Sequence, residues 1–511
     1  MPWHQLCAGK LMALVAQIQK ICGLPSWQND DVMSAPCSQP PLWRTREAPS
    51  LVRVGIAITF CYGALVVCYW AGLSPGRLWV ALTTIFVLVL SYLYWVGSIA
   101  TVPEPGNQRL VIGFAMIFAF LALLLPALHT KDLYCYLNLG WRQFRYGLNP
   151  YVHPIGDVPD LQHDPMITPV WLENPCPYGF LFALVTRWLV TAGDGHFRST
   201  LLLFQLMNTA AYGVIAWLVV ATRRWLPGSK DDSVLYLFLW NPLIILLLLA
   251  DGHNDVLMAF AMMLAMYSAA RDRWVFVIPL LAMGALIKYS TAVVIPFAVI
   301  EMIRRRRFDA LLAGFAISIG LFLWTASPYL HDYRHFQPSA TADNLFSTAN
   351  SLESVLYYPF DMVMKPIPAL RNGLPLLHKI LVALFALFGC AALTTDYIRY
   401  FRRWSGSLVD FVANALFAYL LLTCVLAIKL YPWYFGGFFP LALLLEEGCW
   451  LRNLTILISL TGLITFTPLG QAHIVNYLLM IGAPVWWIAR NQWPAIERDL
   501  RVYPALGTQQ P

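Results

Sequence analysis

The residues best suited to chemistry lie in one polar segment, residues 129–176, between two apolar stretches. The segment begins with Lys131-Asp132-Leu133-Tyr134-Cys135-Tyr136, contains Gly147-Leu148-Asn149-Pro150-Tyr151, and ends with Trp171-Leu172-Glu173-Asn174-Pro175-Cys176 before Pro177-Tyr178-Gly179. A carboxylate at the edge of an apolar block, followed by a turn-rich loop, forms a pocket half in lipid and half in water. Asp132 is the candidate general base and Glu173 the reserve, although Asp132 could equally cap a surface helix.

Two lysines fall inside apolar stretches and are the candidate cations. A charge within a membrane span costs several kcal/mol unless it is paired or functional, so Lys288 and Lys429 are candidates to bind an anionic group. A structural alternative is that Lys288 pairs with an acid such as Asp255. Lys429 is followed by Tyr431 and Trp433, whose rings could also form an aromatic belt at the membrane surface.

A third polar group, Asp251-Gly252-His253-Asn254-Asp255, interrupts two apolar blocks. Polar side chains at such a depth indicate a function or a buried partner. Counting spans from a cytoplasmic N-terminus puts this motif on the cytoplasmic side, away from Asp132. If the flanking helices are short and end inside the bundle, His253 and Asp255 could still approach the same cavity. A purely structural turn is a further alternative.

Composition indicates which elements must position these residues. The chain has 511 residues, of which 59% are hydrophobic and 12% charged, whereas soluble domains carry about 25% charged residues. Because a spanning helix needs about 20 apolar residues, the long apolar blocks predict an all-α polytopic transmembrane bundle of about 11 to 14 spans. The net charge of +7 comes from basic residues near block ends, which argues against a nucleic-acid partner.

The same pattern predicts the domain organisation. We expect two long extracytoplasmic loops, both on the same side of the membrane as the end of the span that contains Lys429. The segments are a cytoplasmic or interfacial N-terminus (1–50), leading transmembrane helices (51–108), a transmembrane module (109–327) with the outer loop 129–176, a second outer loop (328–378), and C-terminal transmembrane helices with a cytoplasmic tail (379–511).

These motifs, in this order, resemble the GT-C superfamily of membrane glycosyltransferases. The similarity is carried by Asp132, Gly147-Leu148-Asn149-Pro150-Tyr151, Pro177-Tyr178-Gly179, Trp240-Asn241-Pro242-Leu243, Gly252-His253-Asn254-Asp255, Ala285-Leu286-Ile287-Lys288-Tyr289 and Pro432-Trp433-Tyr434. Within the superfamily, the chain resembles bacterial polyprenol-phosphate-mannose-dependent α-1,6-mannosyltransferases. Phe180 stands where their pattern has a further proline.

The resemblance implies a function and a set of roles. It implies inverting transfer of a hexose, mannose in the relatives, from a polyprenyl-phosphate donor to a glycan or glycolipid outside the bacterial inner membrane. Asp132 or Glu173 would be the base. We expect the donor phosphate near Lys288, Lys429, His253 and Asp255, and the acceptor near Tyr134, Asn149, Tyr151, Tyr178 and Trp433. The reaction requires no cofactor, and a divalent cation is left open.

Two other classes of protein fit the same sequence. A transporter or flippase of lipid-linked sugars would use intramembrane charges such as Lys288 and Asp255 as a translocation path. A non-catalytic subunit of a glycan-assembly complex would keep the fold without needing a base. Asp132 separates these alternatives, because only a transferase depends on a lone carboxylate at the membrane edge.

Overall fold

The structure is a computed structural model. It describes residues 50–73, 77–100, 107–125, 127–226, 233–336, 350–402, 407–427, 429–467 and 473–500. The predicted N-terminal segment 1–50 therefore lies, apart from Ser50, outside the described residues. Residues 337–349 of the predicted second outer loop also lie outside them.

The chain divides into two compact units. The first unit falls within Met1–Leu121 and Asp232–Pro242, and the second within Ala122–Asp231 and Leu243–Pro511. The helices of the first unit are α1 (Leu51–Trp70), α2 (Arg77–Ala100), α3 (Asn107–Leu123, of which the last two residues belong to the second unit) and α7 (Ser233–Leu239). Every candidate site residue belongs to the second unit.

The second unit contains the remaining described helices. They are α4 (Asp132–Arg145), α5 (Phe180–Ala192), α6 (Phe197–Arg223), α8 (Asp255–Ala270), α9 (Val277–Ala285), α10 (Ile295–Arg304), α11 (Phe308–Ala326), α12 (Leu352–Met364), α13 (Pro368–Arg371), α14 (Leu374–Arg402), α15 (Leu408–Leu421), α16 (Trp433–Ala442), α17 (Trp450–Thr461), α18 (His473–Tyr477) and α19 (Ala483–Leu500). Three π-helical segments (Ile244–Ala250, Leu422–Leu426, Leu478–Gly482) and several 3₁₀ turns interrupt this order.

The predicted all-α polytopic class is confirmed, since the described residues form helices and no strand. Among the described residues, six helices are long and apolar enough to cross a membrane, or seven if the interrupted pair Ser233–Leu239 and Ile244–Ala250 is one span. Five further apolar helices are shorter, at 10–17 residues. The larger span count therefore stays a prediction.

In the first unit, aromatic side chains hold the helices together. Tyr94 and Tyr236 stack with their ring centroids 5.6 Å apart, and each hydroxyl donates to a backbone carbonyl of the opposite segment. The buried Trp240 indole N–H donates to the Val111 carbonyl at 2.9 Å. Each polar tip thus has a partner, which removes the cost of burying an aromatic donor.

In the second unit, two glycines allow helix α5 to pack closely. A β-carbon at Gly140 of α4 would collide with the Thr186 carbonyl oxygen and lie 2.6 Å from Val190 Cγ2. At the start of α5, a β-carbon at Gly179 would collide with the Leu286 carbonyl. The Phe182 N–H donates to that carbonyl at 3.2 Å. The close approach brings the end of the first loop against the chain break before Lys288.

Helix α6 carries two buried amides that stabilise the break after the π-helical segment. The Gln205 amide donates to the carbonyls of Leu125 and Ala250, at 2.8 and 3.1 Å. The Asn208 amide donates to the carbonyls of Leu248 and His253, at 3.0 and 3.1 Å. Carbonyls released at a helix break in an apolar setting need such donors.

Both candidate lysines lie at helix breaks, which corrects the prediction that they sit inside continuous spans. Lys288 lies between α9 and a 3₁₀ turn at Tyr289–Val294, and Lys429 lies between the π-helical segment Leu422–Leu426 and α16. Pro296 and Pro432 follow these breaks, and proline cannot donate the backbone hydrogen bond that would continue a helix.

We expect Gly140→Ala to lower the thermal unfolding midpoint of the protein in detergent. The added methyl meets backbone that cannot move aside, and overpacking of this kind costs about 1 to 3 kcal/mol. Gly213→Ala in α6 is the matched control, because among the described residues no atom outside the adjacent backbone of α6 and the two chain neighbours lies within 4 Å of its β-carbon position. An equal midpoint for the two variants would contradict the close packing of α4 on α5.

Candidate active site

Asp132 is the first residue of α4, at the helix N-terminus, where the exposed backbone N–H groups favour a negative charge. Its side chain is 18% exposed, and its Oδ2 lies 3.5 Å from Nδ1 of His253. Trp171 hydrogen-bonds the Asp132 carboxylate from the end of the first loop. The residue therefore retains an opening to its surroundings while its neighbours restrict it.

The motif Asp251 to Asp255 lies beside Asp132, so the expectation that it lies away from that residue is wrong. The predicted span over 234–250 is interrupted, and the motif follows directly on the short π-helical segment Ile244–Ala250. Gly252 adopts φ +71°, a backbone conformation that favours glycine. The chain therefore turns inside the unit instead of leaving it, which places His253 next to the start of α4.

Asp251 anchors the segment that leads into α4. Its fully buried carboxylate accepts from the Leu128 and His129 backbone N–H groups at 2.6 and 3.3 Å, and His129 Nδ1 lies 3.1 Å away. Hydrogen bonds from backbone N–H groups to a carboxylate are strong and directional. Asp251 thus fixes the position of the chain just before Asp132.

Asp255 and Lys288 form a buried ion pair. The Lys288 ammonium donates to both carboxylate oxygens of Asp255, at 2.8 and 2.9 Å, and lies 4.2 Å from the Tyr434 ring centroid. Asp255 is 1% exposed and Lys288 19%. The structure thus contains the ion pair between Lys288 and Asp255 that the sequence offered as the structural alternative for Lys288. Lys288 also lies close enough to act electrostatically on Asp132.

Burial raises the pKa of Asp132 to about 6, while the positive charge of Lys288 lowers it and the carboxylates of Asp255 and Asp251 raise it further. The hydrogen bond from Trp171 lowers it. A carboxylate with a pKa near 6 is still mostly ionised at neutral pH, and it is a stronger base than an ordinary aspartate. Asp132 is therefore suited to accept a proton from a hydroxyl.

Three aromatic rings form a stack that ends at the candidate base. The His253 and Trp433 rings lie 4.1 Å apart and 13° from parallel, and Trp433 and Tyr431 lie 4.5 Å apart and 4° from parallel. Trp433 thus contacts the site through His253. Lys429, two residues before Tyr431, is half-buried, and its ammonium forms no ion pair with any described residue.

Three of the predicted acceptor residues make contacts within and between the loops. Asn149 donates to the Tyr329 carbonyl at 3.0 Å and to Asp332 at 3.3 Å. The Tyr151 hydroxyl donates to the Tyr178 carbonyl at 3.0 Å, and Tyr151 is almost fully buried. Tyr178 is half-buried and hydrogen-bonds Tyr136. Their acceptor roles stay predictions.

Two other predicted residues are not brought into contact with Asp132. Glu173 is exposed and forms no ion pair with any residue that the structure describes. Tyr134 stacks on Phe197, with ring centroids 6.1 Å apart. Residues two apart on a helix project from different sides, which explains why Tyr134 and Asp132 diverge.

Four residues of the site were missed by the sequence reasoning. Trp171 has φ +53°, an uncommon conformation for a residue other than glycine and one that occurs at functional sites. Thr130 contacts His253 at 3.1 Å, and nothing in its sequence context indicates that role. Gln205 and Asn208 could have been found, since two amides three residues apart in an apolar helix indicate a buried polar function.

The arrangement offers a base and cations. Among the described residues, no group of three or more histidine, cysteine or acidic side chains is arranged to hold a metal ion. What the site holds is a half-buried carboxylate, a neighbouring ion pair and an aromatic stack, all at breaks between helices. Within the described residues, this is an all-α membrane protein with a polar site built from breaks between helices.

Comparison with known proteins gives the class of relatives. A sequence profile of a family described as alpha-(1->6)-mannopyranosyltransferase, N-terminal domain, matches residues 61–304. An alpha-(1->6)-mannopyranosyltransferase A of Mycobacterium tuberculosis is 30% identical over 257 residues, covering 46% of this chain and 49% of the relative. One from Corynebacterium glutamicum is 23% identical over 175 residues, covering 33% and 34%.

A second alpha-(1->6)-mannopyranosyltransferase of Mycobacterium tuberculosis is 32% identical over 160 residues, covering 29% of this chain and 25% of the relative. The chain thus spans about half the length of the first relative and less of the others. The resemblance to membrane mannosyltransferases inferred from the motifs is confirmed. The profile match includes Asp132, His253, Asp255 and Lys288, whereas Lys429 and Trp433 lie beyond it.

We expect Lys288→Met to destabilise the protein by about 3 kcal/mol, because it leaves the buried Asp255 carboxylate without its cation. The double variant Asp255→Asn/Lys288→Met removes both charges and recovers much of this loss. Lys365→Met is the control, since Lys365 is exposed in its pair with Asp361 and ion pairs at a surface contribute less than about 1 kcal/mol. Thermal unfolding in detergent measures all three, and a single variant as stable as the control would contradict the pairing.

Proposed function

We propose that the protein is a membrane glycosyltransferase that moves mannose from a polyprenyl-phosphate donor to a glycan or glycolipid acceptor. The acceptor oxygen attacks the anomeric carbon, Asp132 accepts the hydroxyl proton, and the carbon–oxygen bond to the phosphate breaks. Polyprenyl phosphate leaves with the bonding electrons, so one direct displacement inverts the anomeric configuration. The transfer takes place at the extracytoplasmic face of the bacterial inner membrane.

The observation that carries this proposal is the placement of Asp132. Its carboxylate lies at a helix N-terminus, 3.5 Å from His253, with a raised pKa of about 6 and partial exposure. A general base needs a pKa close to the working pH and access to the proton that it removes. The similarity to mannosyltransferases supports the sugar, and the apolar helices support a lipid-linked donor.

The leaving phosphate needs positive charge, for which Lys429 is the better placed of the two lysines. Lys288 is already neutralised by two short contacts with Asp255. Lys429 forms no ion pair with a described residue. It lies two residues before Tyr431, which interacts electrostatically with Asp132. Lysine is a common phosphate ligand. With these cations present, the proposed reaction needs no cofactor, and a divalent cation stays open.

We expect Asp132→Asn to abolish mannosyl transfer by the purified protein in nanodiscs, measured with polyprenyl-phosphate mannose and a short mannoside acceptor. The amide is close in size but cannot accept the proton, and loss of a general base lowers rates by about 10² to 10⁴-fold. Glu173→Gln, run in parallel, should retain most of the activity. Asp160→Asn serves as a second control, since Asp160 is exposed in the same loop.

Product from Asp132→Asn at the native rate, together with its loss in Glu173→Gln, would make Glu173 the base. If the native chain binds the donor but gives no product, the transporter or flippase reading becomes the better one. If the protein is assayed within a complex with other subunits and neither substitution changes the rate of mannosyl transfer, the result would favour the role of a non-catalytic subunit.

We expect Lys429→Gln to raise the KM for the donor by about tenfold or more, because a hydrogen bond to a charged group contributes about 1.5 to 3 kcal/mol. Lys429→Arg should retain most of the donor affinity. Lys365→Gln, at an exposed lysine, is the matched control. Donor titrations at saturating acceptor measure the effect, and an unchanged KM in Lys429→Gln would remove this residue from the donor site.

A further inference from the structure

His253 is held so that one ring nitrogen faces the candidate base. The side chain is fully buried, and its Nε2 lies 3.1 Å from the Thr130 hydroxyl oxygen. Its Nδ1 has no hydrogen-bond partner among the residues that the structure describes, and it lies 3.5 Å from Asp132 Oδ2. A buried polar atom left without a hydrogen bond costs free energy, and the polar atom that faces Nδ1 is Asp132 Oδ2.

We propose that His253 is a positioning residue for Asp132, donating its Nδ1 proton to the ionised carboxylate during transfer. This inference rests on the proposed function. It also reassigns His253, which the sequence reasoning placed at the donor phosphate. The ring stays neutral throughout, with Nδ1 as donor and Nε2 as acceptor of the Thr130 hydroxyl proton.

The choice of tautomer follows from the charge on Asp132. With the proton on Nε2, the Nδ1 lone pair would face the negative oxygen of Asp132, and the two would repel each other. With the proton on Nδ1, that contact becomes a charge-assisted hydrogen bond, while Thr130 can still donate to Nε2. At 3.5 Å the contact is longer than a formed hydrogen bond. Such contacts in empty active sites commonly shorten when substrate binds.

The ring is held on all sides, so its direction is fixed. Trp433 stacks on it at 4.1 Å, and the Asn208 amide donates to the His253 backbone carbonyl at 3.1 Å. Full burial also argues against a direct role at the phosphate, since neither nitrogen reaches an open surface. Residues of this kind restrict a catalytic group instead of contacting the substrate.

Other charged and titratable groups also act on Asp132 and must be held constant in a test. They come from every element around it and comprise Cys135, Tyr136, Tyr178, Asp251, Asp255, Lys288, Tyr431 and Tyr434, together with Lys131 next to it in the chain and His129, which acts on His253. The variants below alter none of them.

The decisive comparison is His253→Asn against His253→Gln. Both remove the ring that stacks on Trp433 and both introduce a carboxamide, so their structural losses are matched. The asparagine amide nitrogen occupies the place of Nδ1, whereas that of glutamine reaches the place of Nε2. We expect His253→Asn to keep transfer within about threefold of native, and His253→Gln to lose about tenfold or more.

The pH–rate profile separates positioning from a general loss of structure. Native activity should fall as pH drops through about 6, where Asp132 takes up its proton. Without the hydrogen bond to its ionised form, Asp132 holds its proton more tightly. In the pH–rate profile of His253→Gln, the fall in activity at low pH, its acid limb, should therefore move to higher pH by about one pH unit. In the profile of His253→Asn it should stay near its native position.

Two outcomes overturn the proposal. Equal rates and equal acid limbs in the two variants would show that the donor at the Nδ1 position does nothing. A raised donor KM in both, with native acid limbs, would return His253 to the phosphate. Thermal unfolding of both variants shows whether they fold, and if both fail to fold, Thr130→Val tests the same tautomer by removing only the hydroxyl.

A second measurement is independent of transfer. Infrared difference spectra recorded across pH follow the carboxyl band of Asp132, which is identified by its loss in Asp132→Asn. If the native chain transfers no mannose, the proposed function fails. The positioning contact is still tested, because the midpoint of that band should rise in His253→Gln and not in His253→Asn. A midpoint that is the same in both variants would exclude the contact itself.

Discussion

Three carboxylates lie near one another in the second unit, and their mutual repulsion is the constraint on which the site depends. Each carboxylate has a different set of donors. Asp251 has backbone N–H groups and His129, and Asp255 has both contacts from Lys288. Among the described residues, the donors to Asp132 are Trp171 and, at a longer distance, His253. The charge of Asp132 is therefore the least satisfied of the three by hydrogen bonds, and its partly exposed carboxylate is the one left open to a substrate.

This distribution requires backbone that is not helical, inside a bundle of helices. Continuous spans would keep the polar groups on opposite sides, as the span count suggested. The interruption at Asp251, the break at Lys288 and the start of α16 at Trp433 bring them together instead. Irregular backbone in an apolar setting persists only where its polar groups find partners. Gln205 and Asn208 supply those partners, so the site depends on a helix that contributes no reacting group.

The fold class could be predicted from the sequence, and Asp132 could be chosen from it as the candidate base, whereas the arrangement around Asp132 could not be predicted. Long apolar blocks define helices, and Asp132 is conspicuous as a carboxylate at the edge of one. The proximity of His253 depends on where α6 and the π-helical segment end, which periodicity does not reveal. Asn149 and Tyr151 have residue types suited to binding sugars, but their burial between the loops depends on Tyr329, which lies far away in the sequence. The short polar motifs thus predicted which residues lie at the candidate site better than they predicted the contacts that each residue makes.

The fixed partners of the buried charges also bear on the choice between transferase and transporter. A translocation path needs charged groups that exchange partners between two conformations, because a substrate moves a protein only by binding those conformations differently. In the second unit, Asp255 is held by both of its oxygens and Asp251 by the backbone that precedes α4. Exchange would require breaking buried ion pairs, each of which costs several kcal/mol when one partner is left alone. A preorganised site has the opposite requirement, since charges that do not move stabilise a transition state without reorganising. Asp251 and Asp255 each have partners of their own, and this arrangement favours a reaction at Asp132 over the passage of a substrate along these charges.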